Sequence, residues 1–382
     1  MKKLTPQQAR EHNLKLVLRT IYNSARISRA DIARLTNLTR ATVSDVVEEL
    51  MNKGFVREVG LGPSTGGKPP TLLEFVEDAR YLVGVDLAED EFRGALIDLR
   101  GGIKRKYNTR VKQASGSEAL NRVYELLDVL VKGADRPILG IGIGVPGLMD
   151  AGRGVVLKAV NLDWQNLPLR DLLQERYDVS VYVANDCQAA ALSEYTFGKC
   201  KKTESLVLIK IGRGVGAGVV INGSLYHGDS SGAGEIGHVV VDENGERCGC
   251  GKRGCLETFV SCRAMIRKVE RQVKNEGVDM KYIFTAFSAG DERVKRIVLD
   301  AAHHLGLMIA HIIAILNIRE IVLAGGITEL GEGFLKLVKK VVREHSLDAL
   351  AKVTRIRFAS LGEDMVMMGA AAFLMKKELG LP

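Results

Sequence analysis

One imidazole and three thiols crowd the stretch 234–257, which reads Gly-Glu-Ile-Gly-His, a short polar turn, then Cys-Gly-Cys-Gly-Lys-Arg-Gly-Cys-Leu-Glu. His238, Cys248, Cys250 and Cys255 form a Cys3His set, the ligand types and number that close a tetrahedral shell around Zn2+. The glycines between the cysteines allow the sharp turns that bring neighbouring sulfurs onto one ion. Three buried structural thiols beside an ordinary histidine are the alternative, and the glycine spacing fits ligation better than packing. Glu235 and Glu257 bracket the set. A shell closed by four ligands needs neither, so their carboxylates point to another task, the binding of hydroxyl groups.

These residues need a scaffold, and composition bounds it. A chain of 382 residues exceeds what one core usually serves, and a hydrophobic share of 46% with few aromatics favours α/β architecture over disorder. The amino terminus carries Lys2 and Lys3 but no apolar signal core, and the most apolar later segment, 306–318, is interrupted by His311 and Asn317. The expected location is therefore the cytoplasm, with no membrane partner. Six cysteines in a reducing compartment favour metal ligation over disulfides, and Cys187, Cys200 and Cys262 read as small buried residues. The formal charge is +8, and residues 1–80 hold 13 Lys and Arg against 9 Asp and Glu, so half the excess lies near the amino end. That imbalance fits a polyanionic partner there, or a solvated basic surface.

Residues 8–23 place Leu14, Leu16, Val17, Leu18, Ile21 and Tyr22 at helical spacing. Ser28 is a good cap for a second helix over 29–35 with Ile32 and Leu35 inward, and Thr39 caps a third over 40–53 that buries Val43, Val47 and Leu50. Asn37 sits in the turn between them, where a left-handed residue is needed. This is a helix-turn-helix pattern, whose third helix puts Thr39, Arg40, Thr42, Ser44 and Asp45 within reach of bases or phosphates in a major groove. A strand over 55–59 and a tip over 60–70 complete a winged version. Its Gly66-Gly67-Lys68 stretch either lays the Lys68 cation in a minor groove or serves only as a linker loop.

From Tyr81 the pattern alternates strands and glycine turns: 82–86, 92–99, 138–145, 179–183, 205–211, 219–221 and 321–326. Asp186 follows the strand 179–183, at the carboxyl end where open α/β sheets hold ligands. Two lobes of this kind are expected to form an actin-like ATPase (ribonuclease H-like) fold with a cleft between them. The expected division is a winged helix-turn-helix and linker over 1–78, a first α/β lobe over 79–195 joined by a C-terminal helix 366–382, and a second lobe over 196–365 that carries the zinc site and a dimerisation surface.

Asn185-Asp186, the Gly234–His238 and Cys248–Glu257 motifs, and Ala324-Gly-Gly326 together resemble the ROK family of repressors, open reading frames and sugar kinases. The amino-terminal helix-turn-helix extends the likeness to its repressor branch over the whole chain. The resemblance implies that Asn185, Asp186, Glu235, His238 and Glu257 bind sugar hydroxyls, with one ring nitrogen of His238 on zinc and the other toward the sugar. Asn161, Leu162, Asp163 and Trp164 resemble a further sugar-proximal stretch, though Trp164 equally suits a packed anchor.

Family kinases hold ATP phosphates on a Gly-Gly-Thr turn after their first strand. Here the turn reads Leu87-Ala-Glu-Asp-Glu91, without the glycines or the threonine. Like charges about 4 Å apart at intermediate screening repel by roughly 4 kcal/mol, so these carboxylates oppose nucleotide. The second phosphate turn carries Arg213 where the kinases have threonine. Asp186, the catalytic base by resemblance, is then vestigial, and no catalytic residue is assigned. The expected function is a sugar-responsive repressor of carbohydrate genes that binds palindromic operator DNA as a dimer or tetramer. The alternatives are a zinc-containing hexose kinase and a module that binds a transporter or phosphocarrier protein.

Overall fold

The computed structural model describes residues 5–63, 69–88, 90–111, 114–199, 204–274 and 276–381. The head is built as its sequence directs. Thr5 and Gln8 form a reciprocal capping box that starts the helix Pro6–Tyr22. Ser28 caps the helix Arg29–Thr36 and Thr39 caps the helix Arg40–Asn52, each accepting the N–H three residues on. Asn37 takes the left-handed conformation at φ 56° between them. Val17, Leu18, Ile21, Ile32, Val43, Val47 and Leu50 close the small core.

Leu35 departs from expectation and is 63% exposed. Its helix rests on Ile32, and a residue three positions on is rotated by about 60° from that inward direction. Strands Val56–Leu61 and Thr71–Phe75 pair antiparallel as the wing, and Ile27–Ser28 adds a third strand on the other side of Thr71–Phe75. Lys68 and the rest of the tip 64–68 lie outside the described residues. Because Thr39 both caps the N–H of Thr42 and bonds its hydroxyl, Thr39→Ala is expected to cost about 1 kcal/mol of stability, read by denaturant unfolding.

Two five-stranded sheets follow, with the same order of strands. One runs Ile103–Arg110, Glu91–Ile97, Tyr81–Leu87, Ile138–Val145, Ser180–Asn185; the other runs Ser224–Tyr226, Val215–Ile221, Leu206–Ile211, Glu320–Ala324, Arg355–Phe358. In each, the first three strands form an antiparallel meander. This is the duplicated α/β topology of the actin-like fold. The chain divides into two compact units: Met1–Ile143 with Arg170–Tyr182 and Ala370–Pro382, and Gly144–Leu169 with Val183–Gly369.

In the second unit, strand periodicity sorts the core. Leu206, Leu208, Val220, Val322 and Ala324 face the alanine-rich helix Asp186–Thr196, while Val207, Ile209, Ile211, Ile321 and Leu323 face the other side. Across that second face lies the helix Glu292–Leu316. It takes in most of the apolar segment 306–318 and is long and apolar enough to cross a membrane. Its Val294, Val298, Ala301, Leu305, Ile309, Ile312 and Ile313 are instead buried in this unit's core, with Gly306 letting Val341 approach.

Candidate functional site

The metal-ligand set converges. The ligand atoms of His238, Cys248, Cys250 and Cys255 all lie within 4.8 Å of one another, with His238 Nδ1 3.6 Å from Cys248 Sγ and the Cys250 and Cys255 sulfurs 3.6 Å apart. A tetrahedral ion with bonds of about 2.3 Å needs ligand atoms about 3.8 Å apart, so these four fit one. Since Nδ1 faces the thiols, Nε2 is left for a second partner. Burial pushes the Cys255 thiol up to about 12, helped by the Cys250 and Cys248 sulfurs, whereas the backbone N–H of Lys252 lowers Cys250.

Backbone geometry assigns the glycines their tasks. Gly251 and Gly254 adopt positive φ in the cysteine loop, and a Cβ on Gly254 would meet the Asp242 carbonyl at 1.4 Å. Gly249 has open space around it and needs no special conformation. The glycines of Gly-Glu-Ile-Gly-His press on the strand Val215–Ile221: a Cβ on Gly234 would lie 1.9 Å from the Ala217 carbonyl, and one on Gly237 2.1 Å from that of Val215. Glu235 and His238 are thereby fixed against the sheet.

Four carboxylate and amide residues gather near this loop, all within the second unit. Glu257 begins a short helix and accepts the Val215 N–H through Oε2 at 3.1 Å, while its Oε1 lies 3.8 Å from the Cys248 thiol. Gly214 lacks a Cβ where Glu257 approaches. Burial raises the Glu235 carboxyl above its usual range even though the residue as a whole is exposed; His238 opposes the rise, and the Asp186 and Glu257 charges add to it. Asn185 caps the helix Asp186–Thr196 by accepting the N–H groups of Cys187 and Gln188, and it donates to the Gly147 carbonyl at 3.0 Å. Gly216 and Gly218 give that helix terminus room, with Cys187 filling the space a Cβ would take. The alternating glycines thus admit a neighbouring backbone.

Asp186 has a partner the sequence reading missed. Its Oδ2 is ion-paired with the ammonium of Lys210, and its Oδ1 accepts the Cys187 N–H at 2.9 Å. The available signal was a lone charge in the otherwise apolar strand Leu206–Ile211, which demands a counter-ion. A carboxylate held by an ammonium and a backbone N–H is a fixed hydrogen-bond acceptor. In the first unit, Glu91 of the degenerate phosphate turn pairs with Arg93 at 3.3 Å, Asp90 is exposed, and Glu89 lies outside the described residues. One of the three carboxylates is therefore partly neutralised. Trp164 and Leu162 are buried, with Asn161 and Asp163 exposed beside them. Cys187 and Cys262 are buried as expected, and Cys200 falls outside the described residues.

On the head, Arg40, Ser44 and Asp45 are exposed on one end of the helix Arg40–Asn52, beside Thr39, with Thr42 half-buried. The ROK family model matches residues 82–377, and a winged helix-turn-helix DNA-binding model matches residues 10–57. The chain belongs to the ROK family. Among its ROK relatives, the xylose repressor of Caldicellulosiruptor bescii is 34% identical and is matched over 97% of both chains. The glucokinase of Halalkalibacterium halodurans is 33% identical but matches 78% of this chain and 96% of its own. The crystal structure of a ROK family transcriptional regulator, a homologue of the E. coli MLC protein, superposes with a TM-score of 0.87 at 26% identity, covering 98% of each chain.

Proposed function

We propose that this ROK protein is a sugar-responsive transcriptional repressor that reads a palindromic operator as a dimer. The observation that carries the reading is the winged helix-turn-helix head continuous with a ROK body, in a chain that matches repressors end to end. A recognition helix enters the major groove through its amino-terminal turns, so Thr39, Arg40, Thr42, Ser44 and Asp45 are assigned to operator contacts, and Lys68 to the wing. Two-fold operators require a second copy. We assign the pairing surface to the second unit, where Ile315 and Leu347 stand 78% and 74% exposed.

Zn2+ is the metal that best suits a Cys3His set, and here it would stiffen the loop carrying His238 and Glu257. Sugar hydroxyls both donate and accept, and a set of fixed carboxylates with one amide satisfies their donors by charge-assisted bonds. We therefore assign Asn185, Asp186, Glu235, His238 and Glu257 to the effector site. Named repressors match the chain end to end whereas the glucokinase matches 78% of it, so we read the protein as a regulator and not a kinase.

Reducing operator affinity a hundredfold requires the sugar to favour the non-binding state by about 2.7 kcal/mol, within reach of one pocket. The test is a gel-shift titration with a panel of pentoses and hexoses, run beside an assay for nucleotide consumption. Operator release by one sugar without ATP turnover is the expected result; release by none ends the effector reading, and turnover supports the kinase. Glu257→Gln is expected to weaken sugar binding about tenfold, the value of one charge-assisted bond. Its operator affinity without sugar should stay unchanged, which calorimetry and gel shift check together.

A further inference from the structure

We propose that Arg100 is the positioning residue that fixes the DNA-reading head to the first five-stranded sheet and couples the head to the state of that sheet. This rests on the repressor reading above. Arg100 lies in the hairpin turn between strands Glu91–Ile97 and Ile103–Arg110. Its Nη2 donates to the carbonyl of Tyr22 at 2.7 Å, and its guanidinium lies 4.0 Å from the Tyr22 ring centroid and 5.4 Å from that of Phe75. The two rings meet edge to face at 5.1 Å. Tyr22 ends the first helix of the head and Phe75 ends its last strand, so one side chain holds both of these elements.

The turn that presents Arg100 is itself rigid. Asp98, 2% exposed, accepts the backbone N–H groups of Arg100 and Gly102 at 2.9 and 2.7 Å and pairs through its other oxygen with Lys104 at 2.8 Å. A Cβ at position 102 would meet that second oxygen at 2.4 Å, so the turn takes glycine there. Leu99, next to Arg100, adds a backbone bond by donating its N–H to the Glu77 carbonyl at 2.9 Å, and the side-chain ties from elsewhere are longer. Arg80 donates to the Lys53 carbonyl at 3.2 Å and lies 5.5 Å from the Phe55 ring centroid, and Lys15 reaches the Lys377 carbonyl at 3.3 Å.

Strand register gives the coupling its path. Tyr81–Leu87 and Glu91–Ile97 pair from Leu82 opposite Ile97, beside the Arg100 turn, to Leu87 opposite Phe92, beside the degenerate phosphate turn. These two strands form one continuous ribbon, about 20 Å long at the usual rise per residue, with the head gripped at one end. A displacement of the ribbon would carry Arg100 with it, and with Arg100 the first helix and last strand of the head. A planar guanidinium stacked on two rings and bonded to a carbonyl transmits direction as well as distance, which an ammonium does not.

The experiment uses the full-length, metal-loaded protein and its Arg100→Ala and Arg100→Lys variants. Operator affinity is measured with and without the sugar found to act on the wild type, and sugar affinity is measured separately by calorimetry. In Arg100→Ala the sugar dissociation constant is expected to stay within twofold of wild type. The ratio of operator affinities with and without sugar should fall at least tenfold, with Arg100→Lys between the two. A residue that merely stabilises the fold would lower both operator affinities together and leave their ratio intact, and that outcome overturns the proposal. Limited proteolysis across 76–80 supplies a readout that needs no sugar: Arg100→Ala should be cut at least fivefold faster, and an unchanged rate overturns the fixing of the head. If no sugar changes operator binding by the wild type, the effector reading fails on its own, and proteolysis still decides the role of Arg100.

Discussion

Replacing Cys255 with alanine is expected to abolish stoichiometric metal and to disorder the loop 239–257, with the largest loss of stability of any single change in the second unit. Cys255 is buried, its sulfur lies 3.6 Å from that of Cys250, and its backbone pairs with Val240. A structural zinc contributes on the order of 10 kcal/mol in small modules that fold around it, and part of that is at stake in a larger unit with its own core. Loop 239–257 carries Glu257 at its end and begins beside His238, so sugar binding should vanish with the metal. Elemental analysis, thermal unfolding and sugar calorimetry on one preparation test the chain of consequences. A variant that keeps its metal, or loses it without change in melting midpoint, would refute the assignment. The ligands bind as thiolates and neutral imidazole, so acidification of the wild type should release the ion as protons take its place.

The second large effect lies away from the site. Arg357 joins Glu194 at 2.8 Å and Glu320 at 2.6 Å, and Glu194, with 0% of its side chain exposed, also accepts the Ser360 N–H and hydroxyl. This network ties the helix that carries Asp186 to strands Glu320–Ala324 and Arg355–Phe358. Arg357→Met removes this cation from the buried carboxylate of Glu194 and is expected to cost about 3–5 kcal/mol in denaturant unfolding. Adding Glu194→Gln to Arg357→Met should recover much of the loss; if the double variant is as unstable as the sum of the singles, the charge account is wrong.

Among these features, those set by local chemistry could be read from the order of residues. Capping by Ser28 and Thr39, the left-handed Asn37 and the strand alternation of 206–211 follow from preferences that act within a few positions. So does the Cys3His set, because its cysteines are near neighbours and His238 lies ten residues before Cys248. The likeness of the whole chain to a repressor rested on the same short motifs. Leu35 shows the limit even of local reading, since a short helix shows its apolar residues but not which of them finds a partner.

What no stretch of sequence could supply is the identity of partners brought together from a distance. Lys210 and Asp186 are 24 positions apart, Glu194 and Arg357 are 163 apart, and Arg100 and Tyr22 are 78 apart. Lys210 lies in an apolar strand and Glu194 is buried, so both need counter-charges, but only the packed chain chooses them. The glycines divide in the same way: their presence was plain, whereas their purpose depended on which carbonyl or side chain would occupy the space of the missing Cβ. Short-range conformational energies are written residue by residue; the pairing of buried charges is settled by the fold, because isolating any one of them is costly and the chain must close on an arrangement that leaves none alone.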